Sequence, residues 1–474
     1  LIIRRLEALR MSANPDINNK ADNNPYSQEI IELFRHYTSQ EFNVTKKELA
    51  VKKDENKRFL LESILSDTGG RYGRVTFWNL TDRTNNDIRK FAVKKNKGLD
   101  KADSIVLTSI EAKVLNYIKE QKLPIVDYCT HTGDLLMTRF LGGKTVENYL
   151  LEKGNLPPEI VLSIIDTMPK IHNALNNMMK KKQGGISQAE VDFLKERNTK
   201  LVKEDFPTLK NEEIEKNFYA YRVLQAVGNI IPQIIPDFIK DYKNINNTLK
   251  NAKKTWIGYD HPRNRILTKT TEDAPYKVIA YDFNHISETF FGMDLVMLLS
   301  SLKPETKLNK SLQKEALVNY QKSFINYVNL ALLTKFSYAH RDNMSDSDRD
   351  DITKAINHLK DPEYIINHIE DITPFYKHKD LLIDSAHMQA AFMHRTTLDL
   401  FKLIKNKDKE TSERAKLYER PFRLAKYLSR KFYNILNDEQ KNMLKESKVF
   451  LPLSYKWLKH LERHKELQPY IKNL

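Results

Sequence analysis

Between residues 60 and 140 the apolar pattern changes period repeatedly, and after Thr145 it settles at the helical value. Arg74-Val75-Thr76-Phe77-Trp78 and Lys90-Phe91-Ala92-Val93-Lys94 alternate with period two, as strands do, across the polar turn Thr81 to Asp87. Ile105, Val106, Ile110, Val114, Leu115 and Ile118 then form a helical stripe. Ile125-Val126-Asp127-Tyr128 and Leu135-Leu136-Met137 follow as strand-like runs about a Thr-Gly-Asp turn. The order is strand, strand, helix, strand, strand. Beyond it, Val146–Glu152, Pro158–Met179, residues 211–242 and Asp294–Leu302 read as helices, as does the remainder of the chain. One short mixed patch interrupts them, with strands at Ile266-Leu267 and Val278-Ile279-Ala280-Tyr281. Lys180 to Gly185 is the clearest break, and Tyr26 to Phe34 reads as a short helix ahead of the strands.

At 474 residues, 40% apolar and 30% charged, the chain is long enough for two large or three ordinary domains with a polar surface. No run of 18 apolar residues exists, so no segment suits a membrane span. Cys129 is the single cysteine, which excludes an intramolecular disulfide and any multi-cysteine metal centre. The opening Leu1-Ile2-Ile3-Arg4-Arg5 is too short an apolar stretch for a secretory signal, and the expected address is cytoplasmic. The first methionine is Met11, which leaves open whether residues 1–10 are native.

The net charge of +16 is unevenly placed. Lys402 to Leu474 holds 19 basic and 9 acidic side chains, with Phe422, Tyr427 and Phe432 among Arg420, Arg423, Lys426, Arg430 and Lys431. A basic amphipathic stretch suits an anionic partner such as RNA or acidic lipid, and a solvated helix face explains it equally.

Four segments carry groups suited to phosphate chemistry. Gly69-Gly70-Arg71-Tyr72-Gly73-Arg74-Val75 lies between two strands. Glycine lets a backbone approach a phosphate closely, and a plain tight hairpin uses the same residues. One strand later Lys94 offers a point charge, and Glu111 on the following helix can orient it by a charge-assisted hydrogen bond or lie at the surface. Leu136-Met137-Thr138-Arg139-Phe140-Leu141-Gly142-Gly143 passes from a strand through a glycine break into a helix. There, backbone groups at Thr138 and Phe140 can meet an adenine edge, or simply connect strand to helix. Finally, Asp260, His261 and Asn264 precede a short hairpin that Asp282 follows. An amide and a carboxylate converging there make an oxygen site suited to Mg²⁺, with Asp260 or His261 in reach of a substrate hydroxyl. Asp294 opens an apolar helix, as an N-cap does.

In this order the segments resemble the protein-kinase-like superfamily, most nearly its aminoglycoside phosphotransferase and choline kinase branch. The similarity runs from about Leu65 to Leu302. The resemblance implies an α+β, two-lobed protein-kinase-like fold. Residues 1–58 form an N-terminal extension, 59–140 a small lobe of antiparallel sheet plus helix, 141–320 a mainly helical lobe with the catalytic and metal-binding loops, and 321–474 a helical C-terminal region. Gly70, Gly73 and Val75 match the glycine loop, with Thr68 where its first glycine belongs. Lys94 and Glu111 match the ion pair, and Met137, Thr138 and Phe140 the hinge. His172 is similar to the helix-borne histidine that supports the catalytic loop, and Asp282 to the principal metal ligand beside Asn264.

The catalytic loop departs from the pattern. The branch expects His-Gly-Asp-x-His-Pro-x-Asn, and here Ile257-Gly258-Tyr259 stands where His-Gly-Asp belongs. The phosphoinositide kinases' Gly-Asp-Arg-His-x-x-Asn also aligns, again with Tyr259 at the aspartate. The resemblance therefore implies ATP and Mg²⁺ bound between lobes and transfer of a phosphoryl group to a hydroxyl acceptor of unidentified class (small molecule, lipid or protein). Asp260 or His261 would act as base. The alternatives are a kinase-like protein with altered chemistry, such as nucleotidyl transfer, and a non-catalytic scaffold.

Overall fold

The computed structural model describes residues 25–51, 56–70, 73–96, 100–153, 156–205, 247–258, 265–269, 271, 274–299, 382–384, 386–388, 390–391 and 436–447. The protein is a mixed α+β chain that divides into two compact units, Leu1–Asn116 with Val126–Gly142, and Tyr117–Ile125 with Gly143–Leu474.

The first unit is built on a six-stranded sheet of order β1-β2-β3-β4-β6-β5. Its strands are β1 (Leu49–Ala50), β2 (Phe59–Gly70), β3 (Gly73–Asp82), β4 (Asp87–Asn96), β5 (Tyr128–Thr132) and β6 (Leu135–Arg139). All neighbours are antiparallel except β1 and β2. The register sets Phe91 opposite Arg139, Val93 opposite Met137 and Lys95 opposite Leu135, so these residues share one face. Helix α1 (Pro25–Phe42) covers that face. Its Ile30, Leu33, Phe34 and Tyr37 join Leu61, Leu80, Phe91, Val93 and Met137 in one buried cluster.

The sequence pattern ends this helix at Phe34, yet it continues to Phe42. Tyr37 and Phe42 extend the same stripe and find aromatic partners: Tyr37 meets Phe91 at 5.1 Å and Phe42 meets Phe59 at 4.7 Å between ring centroids. Helix α2 (Lys101–Glu120) starts where the Asp100 carboxylate accepts the Asp103 N–H at 2.8 Å, an N-cap.

The second unit opens with β7 (Lys144–Thr145), α3 (Val146–Lys153) and α4 (Pro158–Lys181). Next comes α5 (Gln188–Asp205), which begins with a capping box. Ser187 N–H donates to the Glu190 carboxylate at 2.8 Å, and Glu190 N–H donates to Ser187 Oγ at 3.2 Å. Strands β8 (Lys254–Ile257) and β11 (Ser287–Phe290) pair with each other. Strands β9 (Arg265–Thr268) and β10 (Lys277–Ala280) form a hairpin, with β7 on the far side of β9. Helices α6 (Met293–Leu299) and α7 (Asp438–Glu446) complete the named elements. Among the described residues no helix is long and apolar enough to cross a membrane.

The pair Gly142-Gly143 is required by the backbone. Gly143 has φ +89°, and a Cβ there would stand 2.3 Å from the Leu267 carbonyl oxygen, where β7 meets β9.

Candidate functional site

Strand alternation arranges the candidate residues of the first unit. Val75 lies opposite Lys94 and Phe77 opposite Ala92, while Lys94 lies opposite Leu136 and Ala92 opposite Thr138. All six side chains therefore stand on the sheet face away from α1. Phe140 joins them, its ring 4.8 Å from that of Phe77 between centroids. Val75, Phe77, Ala92, Thr138 and Phe140 are each half-buried, an apolar strip still partly open to solvent. The strip ends at the amine of Lys94.

That amine is held in place. Lys94 Nζ donates to Glu111 Oε1 at 2.9 Å and Oε2 at 3.0 Å, and the Glu111 side chain is 2% exposed. A cation bridging both oxygens of a buried carboxylate has a fixed position, which suits recognition of a second anion. Lys95, one residue on, faces the opposite way and pairs with Glu29 of α1 at 3.0 Å. The period-two rule thus separates Lys94 from its neighbouring lysine.

The glycines sit at the near end of the same sheet. Gly70 is paired with Gly73, and Gly73 is also paired with Asn96, two residues beyond Lys94. Arg71 and Tyr72, between the two glycines, lie outside the described residues. The segment is thus a close hairpin, and it ends two residues along the sheet from Lys94.

The expected hinge residues divide. The Met137 side chain is fully buried in the cluster under α1, on the face opposite Lys94. Thr138 lies on the Lys94 face, paired with Ala92 and with Tyr128. The Phe140 N–H donates to the Lys90 carbonyl at 2.9 Å. Pairing of β4 with β6 continues past Arg139 and engages that group.

The second unit carries further candidate residues. Strand β10 ends at Ala280, opposite Arg265, and the chain then turns through Asp282-Phe283-Asn284-His285. Asp282 is half-buried and adopts φ +64°. A left-handed backbone costs a non-glycine residue about 1 kcal/mol, less for aspartate than for most, and such strain is found where a side chain must be aimed. The turn is anchored after Asp282: Phe283 is buried, and Arg197 of α5 donates to the Asn284 carbonyl.

In the same unit, His172 Nε2 of α4 lies 2.9 Å from Asp294 Oδ2 of α6, both side chains buried. Asp294 lies in the first turn of its helix, which starts at Met293 rather than being capped by Asp294, and it binds a histidine 122 residues earlier in the chain. One turn beyond His172, the Asn176 side chain accepts the Trp256 N–H at 3.3 Å and donates to Thr255, tying α4 to β8. Among the described residues no three His, Cys, Asp or Glu side chains converge on a metal position.

No protein-family model and no curated protein matches the sequence. Among solved structures, the chain is similar to the ternary complex of streptomycin and ATP with APH(2")-IIa. The similarity has a TM-score of 0.32 and 11% identity, and it covers 78% of this chain and 93% of that one. A superposition this loose assigns neither fold nor chemistry.

Tyr259, Asp260, His261 and Asn264 lie outside the described residues, as do residues 206–246, 301–381 and most of the basic C-terminal stretch. Sequence reasoning passed over one polar residue that the structure brings to the site. Asn96 is 1% exposed and donates to Glu111 Oε2 and to Thr108 Oγ1, each at 3.1 Å. Its spacing of two from Lys94 on one strand is the signal that finds it.

Proposed function

We propose that this protein is an ATP-dependent phosphotransferase of the aminoglycoside phosphotransferase and choline kinase-like type, acting on a hydroxyl acceptor. One observation carries the reading: a strand lysine held by both oxygens of a buried helix carboxylate, two residues along the sheet from a glycine hairpin and at the end of an apolar strip. Lys94 takes the nucleotide phosphates as a fixed point charge, and Gly70 and Gly73 let the backbone approach them. Val75, Phe77, Ala92 and Phe140 present an apolar face for the adenine ring.

Asp282 suits a magnesium ion. Mg²⁺ binds to proteins through one or two carboxylates and keeps waters and phosphate oxygens for its other positions, so the Asp282 carboxylate, with Asn264 as the sequence's second oxygen donor, is a fitting donor set. When bound, the ion supplies charge neutralisation on the triphosphate. In the transfer, the acceptor oxygen forms a bond to the γ-phosphorus and the bond to the β-phosphate oxygen breaks. ADP leaves, and the hydroxyl proton passes to Asp260 or His261. Positioning contributes most of the rate in such a transfer, so a displaced base remains compatible with activity.

A second reading, a nucleotide-binding protein that transfers no phosphoryl group or transfers a nucleotidyl group, is favoured by Tyr259 at the position where the resembled branch has aspartate. Product analysis separates the two. Incubation with Mg-ATP and a panel of hydroxyl acceptors yields ADP on the first reading. Pyrophosphate, or no product from a protein that binds ATP, supports the second.

A further inference from the structure

We infer that Asn96 is a positioning residue, which fixes the Glu111 carboxylate and through it the reach of Lys94. The inference rests on the nucleotide reading for its purpose and on geometry alone for its mechanism.

The two hydrogens of the Asn96 amide have separate acceptors, Thr108 Oγ1 and Glu111 Oε2, each at 3.1 Å. The assignment of N and O is settled by chemistry. Glu111 is a carboxylate, and the Thr108 hydroxyl donates its own hydrogen to the Ser104 carbonyl at 2.9 Å, so both partners require a donor. Thr108 and Glu111 are three residues apart on α2 and share one helix face. One amide therefore grips the helix at two points, which sets both its rotation and its height against β4.

Asn96 is itself immobilised. Its N–H donates to the Asp134 carbonyl at 2.9 Å, joining β4 to the turn before β6. Its side chain is fixed by burial as well as by its bonds. A carboxylate held only by a lysine can swing with that flexible chain. Held also by a rigid amide, it keeps the amine where a phosphate can meet it, so less is lost in ordering on binding.

Two measurements test this in the full chain. The first needs no nucleotide: the rate at which an amine-reactive acylating reagent labels Lys94, read by peptide mass spectrometry. Wild-type Lys94 labels slowly, shielded in its pair, and Asn96→Ala speeds labelling several-fold while lysines elsewhere are unchanged. The second compares titrations of Mg-ATP and adenosine. Asn96→Ala weakens Mg-ATP about tenfold and leaves adenosine unchanged, because only the phosphates meet Lys94.

Labelling of Lys94 at the wild-type rate in Asn96→Ala overturns the inference, whatever ATP does. Equal weakening of ATP and adenosine also overturns it, since that marks a general loss of structure. Faster labelling in a protein whose wild type binds no ATP supports the positioning role and refutes the nucleotide reading instead. Should Asn96→Ala not fold, Asn96→Ser, whose short hydroxyl cannot reach both acceptors, is read in the same way.

Discussion

Lys94 Nζ bridges the two carboxylate oxygens of Glu111 at 2.9 and 3.0 Å, across 17 residues and between two kinds of element. Burial makes each partner dependent on the other. Lys94→Ala leaves a nearly inaccessible carboxylate without its cation and costs about 3 kcal/mol. Replacing both residues by apolar ones of similar size, Lys94→Met with Glu111→Leu, recovers most of that. Urea unfolding of the two variants and the wild type checks the order. Equal losses for the single and double variants would contradict it.

Two adjacent glycines predict unequal responses. Gly142 has φ +70° with nothing within 4 Å of an added Cβ, whereas at Gly143 the Cβ meets the Leu267 carbonyl. Gly142→Ala costs about 1 kcal/mol, the left-handed penalty alone. Gly143→Ala costs more, because β7 must also move off β9. Thermal melts of the two variants measure the difference, and an equal fall in Tm would show that the close approach does not matter.

The Asp82 carboxyl is held down to about 2, well below its ordinary 3.8, chiefly by hydrogen bonding from the Arg58 guanidinium and also by Thr84. A depressed carboxylate adds stability that is fully present above its unfolded value and lost as pH falls toward the folded one. The Tm gap between wild type and Asp82→Asn is therefore constant from pH 7 to about 4 and narrows below that. A gap independent of pH down to 3 would contradict the pairing.

The His131 imidazole titrates below its ordinary 6.5, first because it is buried and then because Lys113 and His36 lie near. The unfolded chain then binds the proton more readily, so the contribution of a neutral His131 is present above pH 6.5 and is lost as pH falls. His131→Gln removes part of the acid destabilisation between pH 6.5 and 5. Parallel Tm curves for wild type and variant over that range would refute this.

The parts legible in the sequence were those written in local period. The alternation of 90–94 placed β4, and the stripe of 105–118 placed α2. The same alternation distinguishes Lys94 from Lys95, and carried two residues further it reaches Asn96. What a period leaves open is which face a distant element covers. The burial of Met137 is decided by α1, about a hundred residues earlier, and the engagement of the Phe140 N–H by its pairing with Lys90. The extension of α1 to Phe42 likewise depends on aromatic rings of the sheet. Helix α5 was passed over although its Ser187-x-x-Glu190 box marks the start. The left-handed Asp282 had no local signal, since aspartate is common in ordinary turns.

The most direct test is a titration of Mg-ATP into wild-type protein and Asp282→Ala, followed by thermal melting. Ligand at a hundredfold excess over Kd adds about 2.7 kcal/mol to the native state. The account predicts a clear rise in Tm for the wild type and little or none for Asp282→Ala. An equal rise in both, or none in either, would contradict it.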